Sequence, residues 1–315
     1  MGNRAQILIV GTIFLGLALV PLFAELTQTP FYLDLARRMM ILAIGALSLN
    51  LIMGYGGLIS FGHAAYIGIG AYTVGICAEH ELVSGFVQWP LAILVSGVFA
   101  IIFGLISLRT RGVYFIMITL ALAQMMYFLG VSLDRYGGDD GLPLIERSNF
   151  GALVDISDNV TLYFIVLGAL ILSLFFCKRL INSRFGMVLQ GTRSNETRMK
   201  TIGFPTLRYQ LTAFVIAGMM AGFAGALLAN HTDFINPDMM HWTRSGDLII
   251  MVLLGGMGSL AGPVVRALAF ILPEELLSGV TEYWQLIFGP FLILVVLFAR
   301  GGLLGFFADK EQRDG

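Results

Sequence analysis

Long apolar runs alternate with short polar segments along this chain. Uncharged stretches close to the ~20 residues that a helix needs to cross a bilayer occupy residues 5–24, 86–108, 112–133, 160–177, 209–230 and 283–299. Each predicts a spanning helix. Residues 39–78 form a run of twice that length without a formal charge, interrupted by Gly54-Tyr55-Gly56-Gly57. Two helices joined by a glycine-rich turn are expected there, because glycine ends helices and turns freely. Residues 248–273 are divided by Gly255-Gly256-Met257-Gly258 and by Gly262-Pro263. They are long for one helix and short for two, so two shortened or re-entrant helices are expected, with protein burying the broken backbone. The pattern predicts an all-α polytopic membrane protein of about ten transmembrane segments, some short or re-entrant at Gly-rich breaks.

Composition agrees. Hydrophobic residues make up 57% of the 315-residue chain, charged residues 12%, and mean hydropathy is +0.84. A soluble domain carries about 25% charge, so a water-facing surface cannot be coated, and a soluble enzyme or a disordered chain is excluded. A net charge of -1 and a pI near 6.4 argue against nucleic acid as a partner. Cys77 and Cys177 sit in apolar runs and are expected to be buried small hydrophobes. Residues 5–24 follow Arg4 but lack a small-x-small site before Glu25, and are read as a retained first helix.

Basic residues set the orientation. Lys178, Arg179, Arg184, Arg193, Arg198, Lys200 and Arg208 cluster between two apolar runs, so that segment is expected to be cytoplasmic. Counting spans both ways places both termini inside, with thirteen basic and four acidic residues there and five basic and sixteen acidic residues outside. Arg266 alone falls within the membrane. Arg37 and Arg38 violate the rule locally, at the outer end of the second helix.

No GxxxxGK[ST] loop, GxSxG elbow or HExxH pair occurs. His231 and His241 are read as loop residues. His63 follows a glycine-rich break inside a membrane run, and is either a functional group or a structural hydrogen-bonding one. Residues 54–72, GYGGLISFGHAAYIGIGAY, combine close-packing glycines with the polar tips of Tyr55, Ser60, His63, Tyr66 and Tyr72. Residues 255–263, GGMGSLAGP, offer Ser259 and shortened helix ends whose dipoles can face a solute. GGxxS recurs at both breaks, as an internal echo, as glycine for close packing, or by chance. In residues 183–208, Phe185, Val188 and Leu189 share a helical face, Ser194 is the expected cap of a short helix starting near Asn195, and Gly203 its end. Such a helix could receive force from a soluble partner.

With those segments in view, the chain resembles the LivM-type permease subunits of bacterial ABC importers for branched-chain amino acids. The likeness runs along nearly the whole chain. It is strongest at residues 54–72, at YGGDDGLP (136–143), at SRFGMVLQGTRSNE (183–196) with IGF (202–204), and at GGMGSLAGP (255–263). The resemblance implies one transmembrane permease domain over residues 1–315, an ATPase-coupling loop at about 179–208 with Arg193, Asn195, Glu196 and Gly203, and a cytoplasmic tail at about 300–315. Helix breaks are expected at Gly56, Gly57, Gly255, Gly256, Gly258, Gly262 and Pro263. Tyr55, Ser60, His63, Tyr66, Ser259 and Arg266 are the expected lining of the solute path. Implied partners are a second homologous permease, two cytoplasmic ATPase subunits holding ATP and Mg, a periplasmic solute-binding protein docking near Asp139 and Asp140, and the lipid bilayer. The chain itself is expected to be no enzyme, to hold no cofactor or metal, and to lie multi-pass in the bacterial inner membrane.

Two departures stand out. Thr197, Arg198, Met199 and Lys200 replace the family's usual small alanines, and Arg266 replaces a glycine. Arg266 reads as a pathway group, a structural ion pair with an acid such as Asp247, or a disabling change. Expected solutes are branched-chain or other hydrophobic amino acids. Urea or short amides are the rival within the ABC class, sugars stand further off because the matching segments are not those of sugar permeases, and a secondary transporter working without an ATPase is the rival outside the class.

Overall fold

The computed structural model describes residues 3–151 and 155–254, together with 267, 270–275, 277, 286, 289 and 290. Ten α-helices lie within residues 3–254: α1 (Asn3–Thr27), α2 (Phe31–Asn50), α3 (His63–Glu79), α4 (Gly85–Ser107), α5 (Val113–Val131), α6 (Asn159–Ile181), α7 (Arg184–Ser194), α8 (Glu196–Thr201), α9 (Thr206–Thr232) and α10 (Trp242–Leu254). Sheet is confined, among the described residues, to β1 (Leu142–Pro143) paired antiparallel with β2 (Phe234–Ile235). Among the described residues five helical segments are long and apolar enough to cross a membrane: Phe31–Tyr55, Gly85–Ser107, Val113–Val131, Asn159–Ile181 and Thr206–Thr232. A shorter apolar stretch, Gly11–Thr27, lies in α1. The architecture is therefore all-α and polytopic. The expected breaks within residues 248–273, the last apolar run and the C-terminal tail lie wholly or largely outside the described residues.

Burial separates the centre from the rim. In the Phe31–Tyr55 segment 83% of the apolar window is buried, against 28% in α5. α2 is thus the core helix, and α5 presents Tyr114, Met125 and Phe128 outward. Apolar side chains exposed in such rows need lipid or a partner to cover them.

α9 crosses α3 and α4 at backbone distance. A Cβ on Gly70 would overlap the Gly222 carbonyl, one on Gly225 the Ile67 carbonyl, and one on Gly218 the Ala100 methyl. Small residues take these positions because apolar surface gains nothing by leaving lipid, so helices in a bilayer must associate through close backbone packing. These glycines, Gly70 among the close-packing ones expected in residues 54–72, form the interlocking surface of three helices. Both cysteines are free and buried, in α3 and α6.

His231 is a correction. It lies inside the buried last turn of α9, not in a loop, because the helix continues to Thr232 and stops only where Asp233 turns left-handed (φ 52°). His241 does lie in a connection, after the short turn Pro237–Met240.

Candidate functional site

The break after α2 is built from its own backbone. The helix widens into a π-turn over Leu51–Tyr55, a geometry that concentrates at functional positions. The Gly57 amide then donates to the Met53 carbonyl at 3.2 Å and the Leu58 amide to the Ile52 carbonyl at 3.0 Å. Gly57 has φ +72°, a conformation that favours glycine. In a continuing α-helix the Leu58 amide would serve the Gly54 carbonyl. Diverted to Ile52, it leaves that carbonyl to a side-chain donor, and Arg193 Nη1 of α7 takes it.

Beyond the break lies a buried polar cluster. Ser60 accepts the Gly62 amide at 3.2 Å, and the Phe61 amide donates to Thr119 Oγ1 of α5 at 3.2 Å. His63 begins α3, with Nε2 2.7 Å from Ser48 Oγ of α2, while Ser48 donates to the Gly45 carbonyl at 2.7 Å. With the serine proton on Gly45, Nε2–H is the donor and Nδ1 the acceptor. Among the described residues Nδ1 is buried without a hydrogen-bond partner, and so is the Tyr66 hydroxyl one turn on. The two rings meet edge-on with centroids 5.8 Å apart. Unpaired buried polar atoms are costly, so two side by side mark the place where a polar group could be received. Ser245 Oγ of α10 accepts the Ala64 amide at 2.9 Å, tying the next helix to the start of α3. The sequence does not single out Ser48, Thr119 or Ser245; Ser48 and Thr119 are lone hydroxyls in apolar runs, whereas Ser245 stands in the polar segment Thr243-Arg244-Ser245-Gly246-Asp247 and carries no such signal.

Tyr55, Ser60, His63 and Tyr66 are therefore brought together on one stretch of chain, and all are buried. Gly255, Gly256, Gly258, Ser259, Gly262, Pro263 and Arg266 lie outside the described residues. Asp247, one expected partner for Arg266, stands 3.8 Å from Arg244.

The segment between α6 and α9 folds as two short helices. Ser183 caps α7, accepting the Gly186 amide at 3.4 Å. The cap of α8 is Asn195 rather than Ser194: Asn195 Oδ1 accepts the Arg198 amide at 2.9 Å, and Ser194 is the last residue of α7. An amide side chain in extended backbone reaches the first turn, whereas a residue still in helical conformation cannot. Gly203, with φ +98°, closes the segment. Phe185 packs on Tyr209, and Val188 and Leu189 are buried, so that face of α7 is seated on the bundle. Glu196 Oε1 gathers Arg111 at 2.9 Å, Lys200 at 2.8 Å and the Thr206 hydroxyl at 3.3 Å.

Two clefts open at this end. One of about 230 Å³ is lined by Gly57, Ile59, Arg111, Phe115, Arg193 and Glu196 among others. The other, of about 380 Å³, is lined by Tyr55, Gln190, Arg193 and Ser194. Arg193 belongs to both. The structure thus joins the glycine-rich break and the basic segment, which the sequence keeps 139 residues apart.

The opposite end is held by charge. Arg147 clamps Asp233 through Nε and Nη2 at 2.8 and 2.7 Å, and its Nη1 reaches Asn159 at 3.0 Å. The carboxylate beside it keeps the Arg147 guanidinium protonated, pushing its pKa above the usual value. Arg37, anomalous by the charge rule, pairs with Asp34 at 2.9 Å and shares Asn159 at 3.0 Å. Arg38 meets Glu274 and Glu275 at 3.3 and 3.4 Å. Local acids balance both arginines where the sequence alone leaves them unexplained.

Among the described residues no group of three or more His, Cys, Asp or Glu side chains could hold a metal ion. Residues 31–297 match the family model described as the permease component of branched-chain amino acid transport systems. The high-affinity branched-chain amino acid transport system permease protein LivM of Salmonella typhimurium is 31% identical over 86% of this chain and 69% of its own length. LivH of the same organism is 26% identical over 84% of this chain and 91% of its length. The L-arabinose ABC transporter permease protein AraH of Azospirillum brasilense is 27% identical over 74% of this chain and 68% of its length. No solved structure matches. The chain belongs to the family of branched-chain amino acid transport permeases, and is a transport subunit of an ABC importer rather than an enzyme.

Proposed function

We propose that this chain forms half of the translocation path for branched-chain or other hydrophobic amino acids, paired with a second, LivH-like permease. In this reading it has about ten membrane segments with both termini in the cytoplasm. Residues of about 179–208 receive the stroke of two ATPase subunits that hold ATP and Mg, and a periplasmic binding protein delivers the solute to the opposite face. The path runs past Tyr55, Ser60, His63 and Tyr66, with Ser259 and Arg266 contributed by the second break. The observation that supports it best is the seat of α7 on the break: a segment suited to a soluble partner touches a place where a membrane helix opens its backbone.

Reconstitution tests this reading. The chain is placed in proteoliposomes with its partner permease, ATPases and binding protein, and uptake of labelled leucine, isoleucine, valine, urea and arabinose is measured. ATP-dependent uptake of the hydrophobic amino acids is expected. Uptake of urea or arabinose alone would move the assignment to that solute. Uptake by the chain alone under an ion gradient would make it a secondary transporter and overturn the proposal.

A further inference from the structure

The family places Arg193 in a segment that faces the ATPases. The side chain is exposed, yet its Nη1 reaches the other way, onto the carbonyl that the π-turn strands at Gly54. Three features make the contact more than incidental. The Leu58 amide, the chain's own donor for that carbonyl, is bound to Ile52 at 3.0 Å, so without Arg193 the carbonyl has lost its in-chain partner. Gly57 makes room for the arginine stem: a Cβ there would stand 2.9 Å from Arg193 Cγ, against a backbone already at φ +72°. And Arg193 lines both clefts.

We infer that Arg193 is a positioning residue that ties the α7–α8 segment to the helix break and, by leaving the Gly54 carbonyl, opens the two clefts into one. The inference rests on the importer reading and adds how motion reaches the path. Seated, the guanidinium caps the freed carbonyl with a charge-assisted hydrogen bond, which is stronger than a neutral one, and separates the clefts. Moved with α7, it uncovers the carbonyl and lets the clefts meet. Little of the surrounding packing has to break, because the Arg193 stem lies against a glycine. Arginine suits this task better than lysine, whose compact ammonium sits on a flexible stem and offers no planar fork of donors.

The test is the ratio of solute moved to ATP hydrolysed in the reconstituted complex, with Arg193→Ala and Arg193→Lys. A purely structural role would lower uptake and hydrolysis together and leave the ratio in place. The tie requires the ratio to fall at least fivefold in Arg193→Ala and to recover in part in Arg193→Lys. If Arg193→Ala does not assemble, Arg193→Lys alone decides: a ratio at least twofold below the parent supports the tie. An unchanged ratio in either assembled variant overturns it. The ratio is read with whichever solute the parent complex carries, so a wrong solute assignment and a failed tie give different results.

Discussion

The two ends of the bundle are held by different physics. At the α9 C-terminus, long-range polar contacts are numerous and most are satisfied, Arg37 Nε and His231 Nδ1 being the buried atoms left without a hydrogen-bond partner among the described residues. Arg147 grips Asp233 with both branches of its fork. Ser148 donates its amide to Asn230 at 2.7 Å and its hydroxyl to Gln88 at 2.5 Å, and Gln88 donates to the Leu82 carbonyl at 2.8 Å. At the α7–α8 end the bonds are fewer and end on exposed stems: Arg111 is 66% and Lys200 50% exposed, both leaning on Glu196. Two clefts lie among them. A largely buried, extensively paired network resists rearrangement because each broken bond strands a polar group. Exposed pairs exchange with water at little cost. The first end is built to stay, and the second to move.

Substitutions can break this contrast, beginning with the crossing that joins the ends. Gly70→Val would drive two methyls into the Gly222 backbone. Overpacking costs about 1–3 kcal/mol and more where backbone is the obstacle, so loss of monodisperse protein on size-exclusion chromatography is expected. Asn230→Ala removes the acceptor of the buried Ser148 amide. An orphaned buried donor costs about 1–3 kcal/mol, seen as a lower thermal midpoint with an unchanged ratio of solute to ATP. Arg147→Ala, which opens a pair half exposed on the Asp233 side, is expected to cost about 1–2 kcal/mol by the same measurement. A fall in coupling ratio with either of these last two would show that the closed end also moves.

Smaller effects sharpen the picture. Asp158 caps α6 through the Thr161 amide and hydroxyl at 3.0 and 2.8 Å. These bonds hold its carboxyl below the usual carboxylate range. A depressed carboxylate stabilises the fold fully above its unfolded value of about 3.9 and loses that contribution as pH falls through the folded value. The thermal gap between parent and Asp158→Ala, about 1 kcal/mol near neutrality, should therefore close as the solution is acidified. Glu196→Gln is expected to change stability by only about 0.5 kcal/mol while altering the coupling ratio, the reverse of Asn230→Ala. A large loss of stability there would mean that the movable end is as locked as the other.

Much of the architecture is legible in the chain because lipid imposes simple rules. Uncharged runs of membrane length must be helices, since no water serves their backbone, and α1, α4, α5, α6 and α9 fall where the runs fall. The break at Gly54–Gly57 is likewise written in its glycines, and the end of α8 in Gly203. The α8 cap falls on Asn195, one residue after the expected Ser194, because both are good caps and only the path of α7 decides which is free to act. His231 reads as loop because it stands in the polar run Asn230-His231-Thr232-Asp233 that ends an apolar stretch, and only the ladder of helical bonds shows that α9 continues to Thr232.

What sequence determined by itself was the class of solvent, the helices that follow from it and, through the resemblance of four segments, the family. What only the tertiary structure decided was partnership. Nothing in the sequence joins Arg193 to Gly54, Arg147 to Asp233, or Arg37 to Asn159, and these pairs are 139, 86 and 122 residues apart. Local backbone rules act over a few residues, whereas a charge or a stranded carbonyl is satisfied by whatever group the packing of helices brings within about 3 Å.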